Sequence, residues 1–215
     1  QLAESLYNYL GQPSPVMHCN EWQTAFTILY LKEHCPKIGT LFTTHATGIG
    51  RSIAGNYKPL YDYFEGYNGD QMAQELDMVS KHSVEKTAAH QADCFTTVSE
   101  ITARECKQLL DKQVDIVTPN GFENDFVWTG DEYKGKRAEA RKAMIEVAEA
   151  CLGCKFDSEP LIIGTSGRYE FHNKGLDVFF ESLKRLSQSN VEKQILAYVT
   201  VPAANELEPV DKWIL

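Results

Sequence analysis

The sequence IGTLFTTHATGIGR, residues 38–51, joins a short apolar run to a polar loop that contains two glycines. The run at 38–44 predicts a buried strand, because it is short and rich in apolar and β-branched side chains. The loop carries a hydrogen-bonding ring at His45 and a fixed cation at Arg51, and its glycines permit close approach to a ligand. Parallel α/β sheets hold ligands at the carboxyl ends of their strands, so we predict a candidate site here. From spacing alone, an ordinary loop before a capped helix is the alternative.

Strand-like runs alternate with helical periodicities along the rest of the chain. Further strands are predicted at residues 94–98, 114–118, 161–164 and 195–201. Helices are predicted at 22–30 (apolar face Trp22, Ala25, Phe26, Leu29 and Tyr30), at 72–92, after Ser99, at 134–150 and after Gly175. Ser99 has the side chain of an N-cap, and Pro119-Asn120-Gly121 has the chemistry of a turn. The alternation predicts the α/β class with parallel sheets.

The composition is that of a folded protein with an acidic charge balance. Of 215 residues, 43% are hydrophobic, 21 are Lys or Arg and 30 are Asp or Glu, which gives a formal net charge of −9. Nucleic acids and anionic membranes attract clustered cations, so this balance argues against either as a partner. No apolar run approaches the roughly 20 residues of a membrane span. Because the sequence begins at Gln1 rather than Met, we expect it to be part of a longer protein.

The cysteines are scattered among apolar neighbours. They are Cys19, Cys35, Cys94, Cys106, Cys151 and Cys154. This pattern is typical of reduced thiols in a cytoplasmic protein rather than of a disulfide framework. Cys151 and Cys154 form a CxxC pair, but it follows a helical stretch and lacks a second pair for zinc. We interpret the pair as ordinary thiols that are buried or half-buried.

A second candidate site is GRYEFHNKG, residues 167–175, which lies between a predicted strand and a predicted helix. Helix N-termini favour anions, Arg168 can bind a phosphate bidentately, and Lys174 adds a point charge. The arrangement suits a diphosphate; a solvated loop with two surface cations is the alternative. The glycine spacing matches neither a P-loop nor GxGxxG, which disfavours a standard NTPase or dinucleotide dehydrogenase.

Two weaker candidates lie at other strand ends. Pro119-Asn120-Gly121 follows a predicted strand, although such a sequence is more often only a turn. Residues 16–22 feed a predicted helix that begins near Glu21. The Glu21 carboxylate either interacts with the helix dipole in the first turn or belongs to a site.

Several of these motifs together resemble a known family. They are FTTHAT with Gly50-Arg51, AAH at 88–90 with FTTVS at 95–99, TPNG at 118–121, and GRYEF at 167–171 with NKG at 173–175. In this order they resemble eukaryotic-type glycogen synthases, glycosyltransferase family 3, over nearly the whole chain. The resemblance implies the GT-B fold, in which two Rossmann-like domains face each other across a cleft. We predict that residues 1–154 belong to the first domain and 155–215 to the second.

The resemblance also implies an activity: transfer of glucose from UDP-glucose to the non-reducing end of an α-1,4-glucan, with retention of configuration. Arg168 and Lys174 match the pair that holds the donor diphosphate, and His45 matches the residue beside the donor glucose. Arg51 matches an arginine that reaches the donor from the other domain. The predicted substrate-binding residues are Arg51, Asn120, Gly121 and Glu21. The resemblance further implies that no metal or cofactor is needed, because the two cations take the place that Mg²⁺ holds in other nucleotide-sugar enzymes.

The sequence departs from the family at several points. Gly48-Ile49 replaces a pair of larger aliphatic residues, and Asn20 replaces a histidine before Glu-Trp. The family's donor-loop lysine and its second-domain carboxylate match nothing in this chain, so we expect the chain alone to be inactive. The alternatives are another GT-B transferase, a glucan phosphorylase with pyridoxal phosphate, and a non-catalytic glucan- or nucleotide-binding module. Whether it forms a homo-oligomer stays open.

Overall fold

Contacts within the chain divide it into two compact units, residues 1–121 and 122–215. The computed structural model describes residues 2–11, 14–156 and 159–202. The first unit contains α1 (Leu2–Leu10), β1 (Val16–Asn20), α2 (Glu21–His34), β2 (Gly39–Thr44), α3 (Gly48–Gly55), a 3₁₀ turn (Phe64–Gly66), α4 (Gly69–Glu75), α5 (Val79–Gln91), β3 (Cys94–Thr97), α6 (Glu100–Leu109) and β4 (Ile116–Val117). The second contains α7 (Gly130–Leu152), β5 (Leu161–Ser166), α8 (Leu176–Ser187) and β6 (Ile195–Thr200).

The first unit is built on a four-stranded parallel sheet in the order β1-β2-β3-β4. Phe42 of β2 pairs in register with Phe95 of β3, and Thr44 pairs with Thr97 at the carboxyl end. Parallel neighbours need a crossover, and helices supply each one, so every strand ends at the same edge of the sheet. The predicted α/β class with parallel sheets is confirmed.

Two apolar clusters hold the first unit together. One lies along the sheet, where the rings of Phe42 and Phe95 stack with their centroids 5.6 Å apart and are fully buried. The other joins α3, α4 and the end of α6 through Ile49, Ile53 and Leu109. The second cluster lies directly beneath α3 and therefore fixes the helix that follows the β2 loop.

The helix predicted at 72–92 is two helices in the structure. Helix α4 ends in a Schellman motif, in which the Met78 N–H donates to the Ala73 carbonyl at 2.7 Å and the Asp77 N–H donates to the Gln74 carbonyl at 3.4 Å. Asp77 has φ 54°, the left-handed conformation that usually selects glycine at this position. An aspartate there gives no clear stop signal in the sequence, which is why the break was not predicted.

The buried face of α2 also differs from the prediction. Ala25, Ile28 and Leu31 face the interior, whereas Phe26 is exposed. The helix packs against both the sheet and α5, and that geometry selects the line of residues spaced by three. Helix α1 was not predicted; the Tyr30 hydroxyl of α2 donates to its Glu4 carboxylate at 3.3 Å.

The second unit contains a parallel pair of strands, β5 and β6, joined by α8. Helix α7 is attached to this pair by two side-chain bonds to main-chain carbonyls: Arg141 donates to Pro160, and the Tyr198 hydroxyl donates to Met144. The helix predicted at 134–150 begins four residues earlier, at Gly130. The predicted domain boundary at 154/155 stays a prediction, and Asp157 and Ser158 beside it lie outside the described residues.

Among the residues that the structure describes, no helix combines the length and the apolar character that a bilayer crossing requires.

Candidate functional site

The His45 loop, defined as residues 45–47, connects the carboxyl end of β2 to α3. Thr47 caps α3: its hydroxyl accepts from the Gly50 N–H at 3.2 Å, and its carbonyl accepts from the Arg51 N–H at 3.0 Å. His45 and Arg51 are both exposed at this edge of the sheet. The predicted loop at a strand end is therefore present, with its ring and its cation exposed to solvent.

The neighbouring strand end contacts the His45 loop. The Glu21 carboxylate accepts from the His45 main-chain N–H at 2.9 Å, and the His45 ring nitrogen Nε2 lies 3.4 Å from the Asn20 side-chain oxygen. Glu21 has φ 63°, an uncommon conformation for a residue with a Cβ. The structure thus brings together His45 and Glu21, which the sequence suggested as separate candidates. Glu21 does more here than interact with the helix dipole.

A buried glutamate that was not predicted lies beneath the His45 loop. Glu85 of α5 is 1% exposed, and its two oxygens bind opposite ends of the loop. Oε1 accepts from the Thr44 hydroxyl at 2.8 Å, and Oε2 accepts from the Gly48 main-chain N–H at 2.9 Å. Burial raises the pKa of Glu85 to about 7, while the bonds from Gly48 and Thr44 oppose the rise.

A second buried glutamate, Glu105 of α6, holds the loop from another side. Its oxygens accept from the Thr47 hydroxyl at 2.8 Å and from the Tyr61 hydroxyl at 2.7 Å. Burial, together with the bond to Glu105, raises the pKa of Tyr61 to about 12, so the phenol stays protonated as a donor. The loop is therefore bound by three acids from three helices.

The two glycines of the candidate motif make room for these acids. A Cβ on Gly48 would lie 2.9 Å from Glu85 Oε2, and one on Gly50 would lie 2.8 Å from Glu105 Oε2 and 2.4 Å from the Thr47 hydroxyl. From the sequence, we expected these glycines to leave space for a ligand. In the structure the carboxylates of the protein itself take up the space, so any larger residue would displace them.

A sequence signal for both acids exists in the helix periodicity. Glu85 shares one face of α5 with the buried residues His82, Ala88 and Ala89. Glu105 likewise falls among Thr102, Cys106 and Leu109 on α6. A glutamate that lies three or four residues from buried neighbours on the same helix face is itself buried, and its carboxylate then needs hydrogen-bond donors. Most of these donors belong to the His45 loop or to the residues that flank it.

The predicted turn at Pro119-Asn120-Gly121 is wrong. Residues 118–121 continue beyond β4 without a turn, and Gly121 does not have a positive φ. The Thr118 N–H still donates to the Thr97 carbonyl at 2.7 Å, so sheet pairing keeps the chain extended past β4. No hydrogen bond within the described residues joins Asn120 or Gly121 to the His45 loop, and their role in substrate binding stays a prediction.

In the second unit, the loop at 167–175 carries the two predicted cations. Arg168 is 58% exposed and its guanidinium lies 3.1 Å from the Glu170 carboxylate. The side chain of Lys174 passes Gly167 so closely that a Cβ there would touch its methylenes at 3.4 Å. Within the described part of the chain no carboxylate pairs with the Lys174 ammonium. Both cations thus belong to one exposed loop at the carboxyl end of β5.

The start of α8 does not offer the free amides that were expected. Gly175, at φ 67°, turns the chain so that the Leu176 and Asp177 N–H groups donate to the Phe171 carbonyl at 3.0 and 3.4 Å. The next N–H, of Val178, donates to the Asp177 carboxylate at 2.8 Å. The loop therefore already binds the first-turn amides. An anion here would be recognised by side chains rather than by the helix terminus.

The CxxC pair is exposed, which corrects the interpretation as buried or half-buried thiols. Cys151 lies in the last turn of α7, and Cys154 follows Gly153, whose left-handed conformation ends the helix on the surface. All six cysteines are free. The described residues contain no cluster of three potential metal ligands.

A family profile described as "Glycogen synthase" matches residues 2–212. The chain belongs to the glycogen synthase family.

Named glycogen synthases are similar to the chain over most of its length. The glycogen (starch) synthase of Dictyostelium discoideum is 33% identical over 197 residues, which cover 88% of the chain and 22% of that protein. The human liver enzyme is 34% identical over 80% of the chain and 25% of its own length. Isoform 2 of Saccharomyces cerevisiae is 33% identical over 91% of the chain and 29% of its own length. The chain thus spans about a quarter of these glycogen synthases.

The family match includes both candidate loops, the His45 loop and the loop at 167–175. The parallel α/β sheets of the two units are consistent with part of the Rossmann-like GT-B fold that the resemblance implied. The roles of His45, Arg51, Glu21, Arg168 and Lys174 are taken up below.

Proposed function

We propose that the protein is a glycogen synthase, which transfers glucose from UDP-glucose to the non-reducing end of an α-1,4-glucan with retention of configuration. The observation that carries the proposal is the family match over residues 2–212. The proposal includes a GT-B cleft between two Rossmann-like domains, no metal or cofactor, and a cytoplasmic location.

The donor diphosphate is proposed to bind Arg168 and Lys174. Departure of UDP leaves negative charge on phosphate oxygens, and a cation pair would stabilise that charge as it develops. Arg168 already accommodates an anion, the Glu170 carboxylate at 3.1 Å. Exposed ion pairs contribute only about 0–1 kcal/mol, so a diphosphate would displace Glu170 at little cost. Lys174, without a carboxylate partner among the described residues, would add its charge directly.

The donor glucose is proposed to lie beside the His45 loop. Three carboxylates hold this loop, so its main-chain groups and the His45 ring would meet the sugar already ordered. Ordering before binding lowers the entropic cost of reaching the reactive geometry. Arg51, in the first turn of α3, is assigned to the donor, and Glu21, Asn120 and Gly121 to substrate binding.

The experiment is a UDP-release assay on the full-length protein with UDP-glucose and glycogen. The expected result is UDP released in proportion to glucose incorporated. Lys174→Ala is expected to lower kcat by about 10²–10³-fold, the usual cost of one pre-positioned electrostatic donor. Lys184→Ala is the matched control, because Lys184 is an exposed lysine of α8 whose partner is Glu181, 3.7 Å away. It should leave kcat unchanged.

Three outcomes would contradict parts of the proposal. Retention of more than half the wild-type rate by Lys174→Ala excludes its leaving-group role. A near-normal rate for His45→Ala leaves only the main chain of that residue with a role. Glucose 1-phosphate formed from glycogen and phosphate, with a cofactor absorbance, identifies a phosphorylase instead.

A further inference from the structure

The His45 loop has a support that no motif of the sequence pointed to. The two residues that flank it and form its ends, Thr44 and Gly48, are both bound by one side chain, Glu85 of α5. The carboxylate is 1% exposed and has no cation within ion-pair distance among the described residues. A buried acid without a cation is costly, so its hydrogen bonds to the loop must offset that cost.

We propose that Glu85 is a positioning residue for glucosyl transfer: its carboxylate joins the two ends of the His45 loop and thereby fixes the position of His45. This inference rests on the proposed function, because it gives the loop a substrate to meet. Glu85 itself touches no substrate. It acts through Thr44 and Gly48, and displacement of the loop by about 1 Å is enough to lower a rate about 10²-fold.

Two substitutions distinguish the effect of the Glu85 hydrogen bonds from the effect of its charge. Glu85→Gln can keep both bonds: its amide oxygen accepts from the Gly48 N–H, and its NH₂ donates to the Thr44 hydroxyl. That hydroxyl can then donate to the Ala46 carbonyl, which lies 3.2 Å away. Glu85→Ala removes both bonds and leaves the Gly48 N–H without a partner.

A matched control lies at the other end of the same strand. The Asp93 carboxylate accepts from the Thr40 main-chain N–H at 2.8 Å and from the Thr40 hydroxyl at 2.9 Å, the same two kinds of donor. Thr40 is four residues before Thr44, at the amino end of β2. Asp93→Ala therefore removes an equivalent pair of bonds from β2, together with the ion pair between Asp93 and Lys32, without touching the His45 loop.

The experiment measures kcat and KM for UDP-glucose in the full-length protein. Glu85→Ala should lower kcat about 10²-fold, Glu85→Gln should stay within about threefold of wild type, and Asp93→Ala should lose stability but keep its kcat. Thr44→Val, which removes one of the two bonds to Glu85 together with the hydroxyl contact to the Ala46 carbonyl, provides a second variant if Glu85→Ala fails to fold. Its kcat should fall about fivefold to tenfold. An equal fall for Glu85→Ala and Asp93→Ala overturns the proposal, and so does a Glu85→Gln variant as slow as Glu85→Ala.

Hydrogen–deuterium exchange gives a readout that does not need activity. Peptides that cover residues 45–50 should exchange faster in Glu85→Ala than in wild type, and as slowly as wild type in Glu85→Gln and Asp93→Ala. Unchanged exchange in Glu85→Ala overturns the positioning role even if kcat falls. An inactive wild-type protein with the expected exchange pattern contradicts the proposed function alone, so the two failures are distinguishable.

Discussion

At the scale of the residue, the main finding is where two of the acids lie. The chain has 30 Asp and Glu residues, and two of them, Glu85 and Glu105, are buried under the His45 loop. Glu85 has only neutral donors, so burial dominates its titration and raises its pKa to about 7. The groups whose charges act on it most are Glu21, which raises its pKa, and Arg51, which lowers it.

This pKa predicts a pH dependence of stability. The folded pKa of Glu85, about 7, lies above the ordinary value of 4.5, so the folded state binds the proton more tightly than the unfolded state. The contribution of this proton binding to the free energy of unfolding is therefore fully present below about pH 4.5. It falls as pH rises to about 7 and does not change further above that. Its full size is roughly 3 kcal/mol. Glu85→Gln has no such titration. Urea unfolding from pH 5 to 8 should show Glu85→Gln gaining roughly 2–3 kcal/mol on wild type, whereas a constant difference contradicts the prediction.

At the scale of the element, side-chain caps decide where several helices begin. Thr47, Asn68 and Ser99 each accept a main-chain N–H from three residues further on. Ser99 was predicted from sequence and is confirmed, because an N-cap bond is local and needs only the right side chain. Helix α7 differs: its N-cap residue, Thr129, makes no such bond.

The contrast between Ser99 and Thr129 predicts unequal costs of removing them. Ser99→Ala should lower the free energy of unfolding by about 1 kcal/mol, because the Thr102 N–H loses the hydroxyl 3.2 Å away. Thr129→Ala, the control, should cost less than about 0.5 kcal/mol, the usual range for a surface substitution. The two midpoints in urea give the comparison. Equal losses would show that the Ser99 hydroxyl bond contributes nothing specific.

Local signals also explain what the sequence could and could not predict. The four later strands follow from short apolar runs, although β4 covers only Ile116–Val117 of the predicted 114–118. The starts of α6 and α8 follow from Ser99 and Gly175, the residues just before each helix. The break at Asp77 and the buried face of α2 do not, since each depends on packing against another element. The same holds for the site: His45 is visible in its own loop. The bond from His45 to Glu21 spans 24 residues, and the one from Gly48 to Glu85 spans 37.

At the scale of the whole molecule, the chain consists of two units that are joined through residues 118–129. Phe122, Phe126 and Trp128 in this stretch are 71%, 62% and 50% exposed. Within this stretch, the Val127 N–H donates to the Asn124 carbonyl at 2.9 Å. Exposed apolar side chains on a backbone with few internal bonds make this stretch accessible to a protease.

Limited proteolysis with chymotrypsin tests this organisation. The first cut in the native protein should fall within residues 122–128, and mass spectrometry should find two fragments that separate near the unit boundary. Tyr57 and Tyr63 serve as an internal control, because they are just as exposed but their N–H groups donate to Ala54 and Pro59. A first cut at those tyrosines would mean that main-chain bonding does not protect the sites.

Strand β2 is hydrogen-bonded near both ends to the connection between β2 and β3. Glu85 binds Thr44, and Asp93 binds Thr40. Helix α5 rises about 9 Å over the six residues from Glu85 to its end at Gln91, and two further residues lead to Asp93. The four residues of β2 from Thr40 to Thr44 span about 13 Å. Insertion of one residue into α5 between Glu85 and Gln91 would rotate Glu85 by about 100° relative to the end of the helix and turn it away from Thr44 and Gly48. The position of the His45 loop is thus tied to the length of α5 between Glu85 and the end of that helix, a part of the chain some forty residues away in sequence.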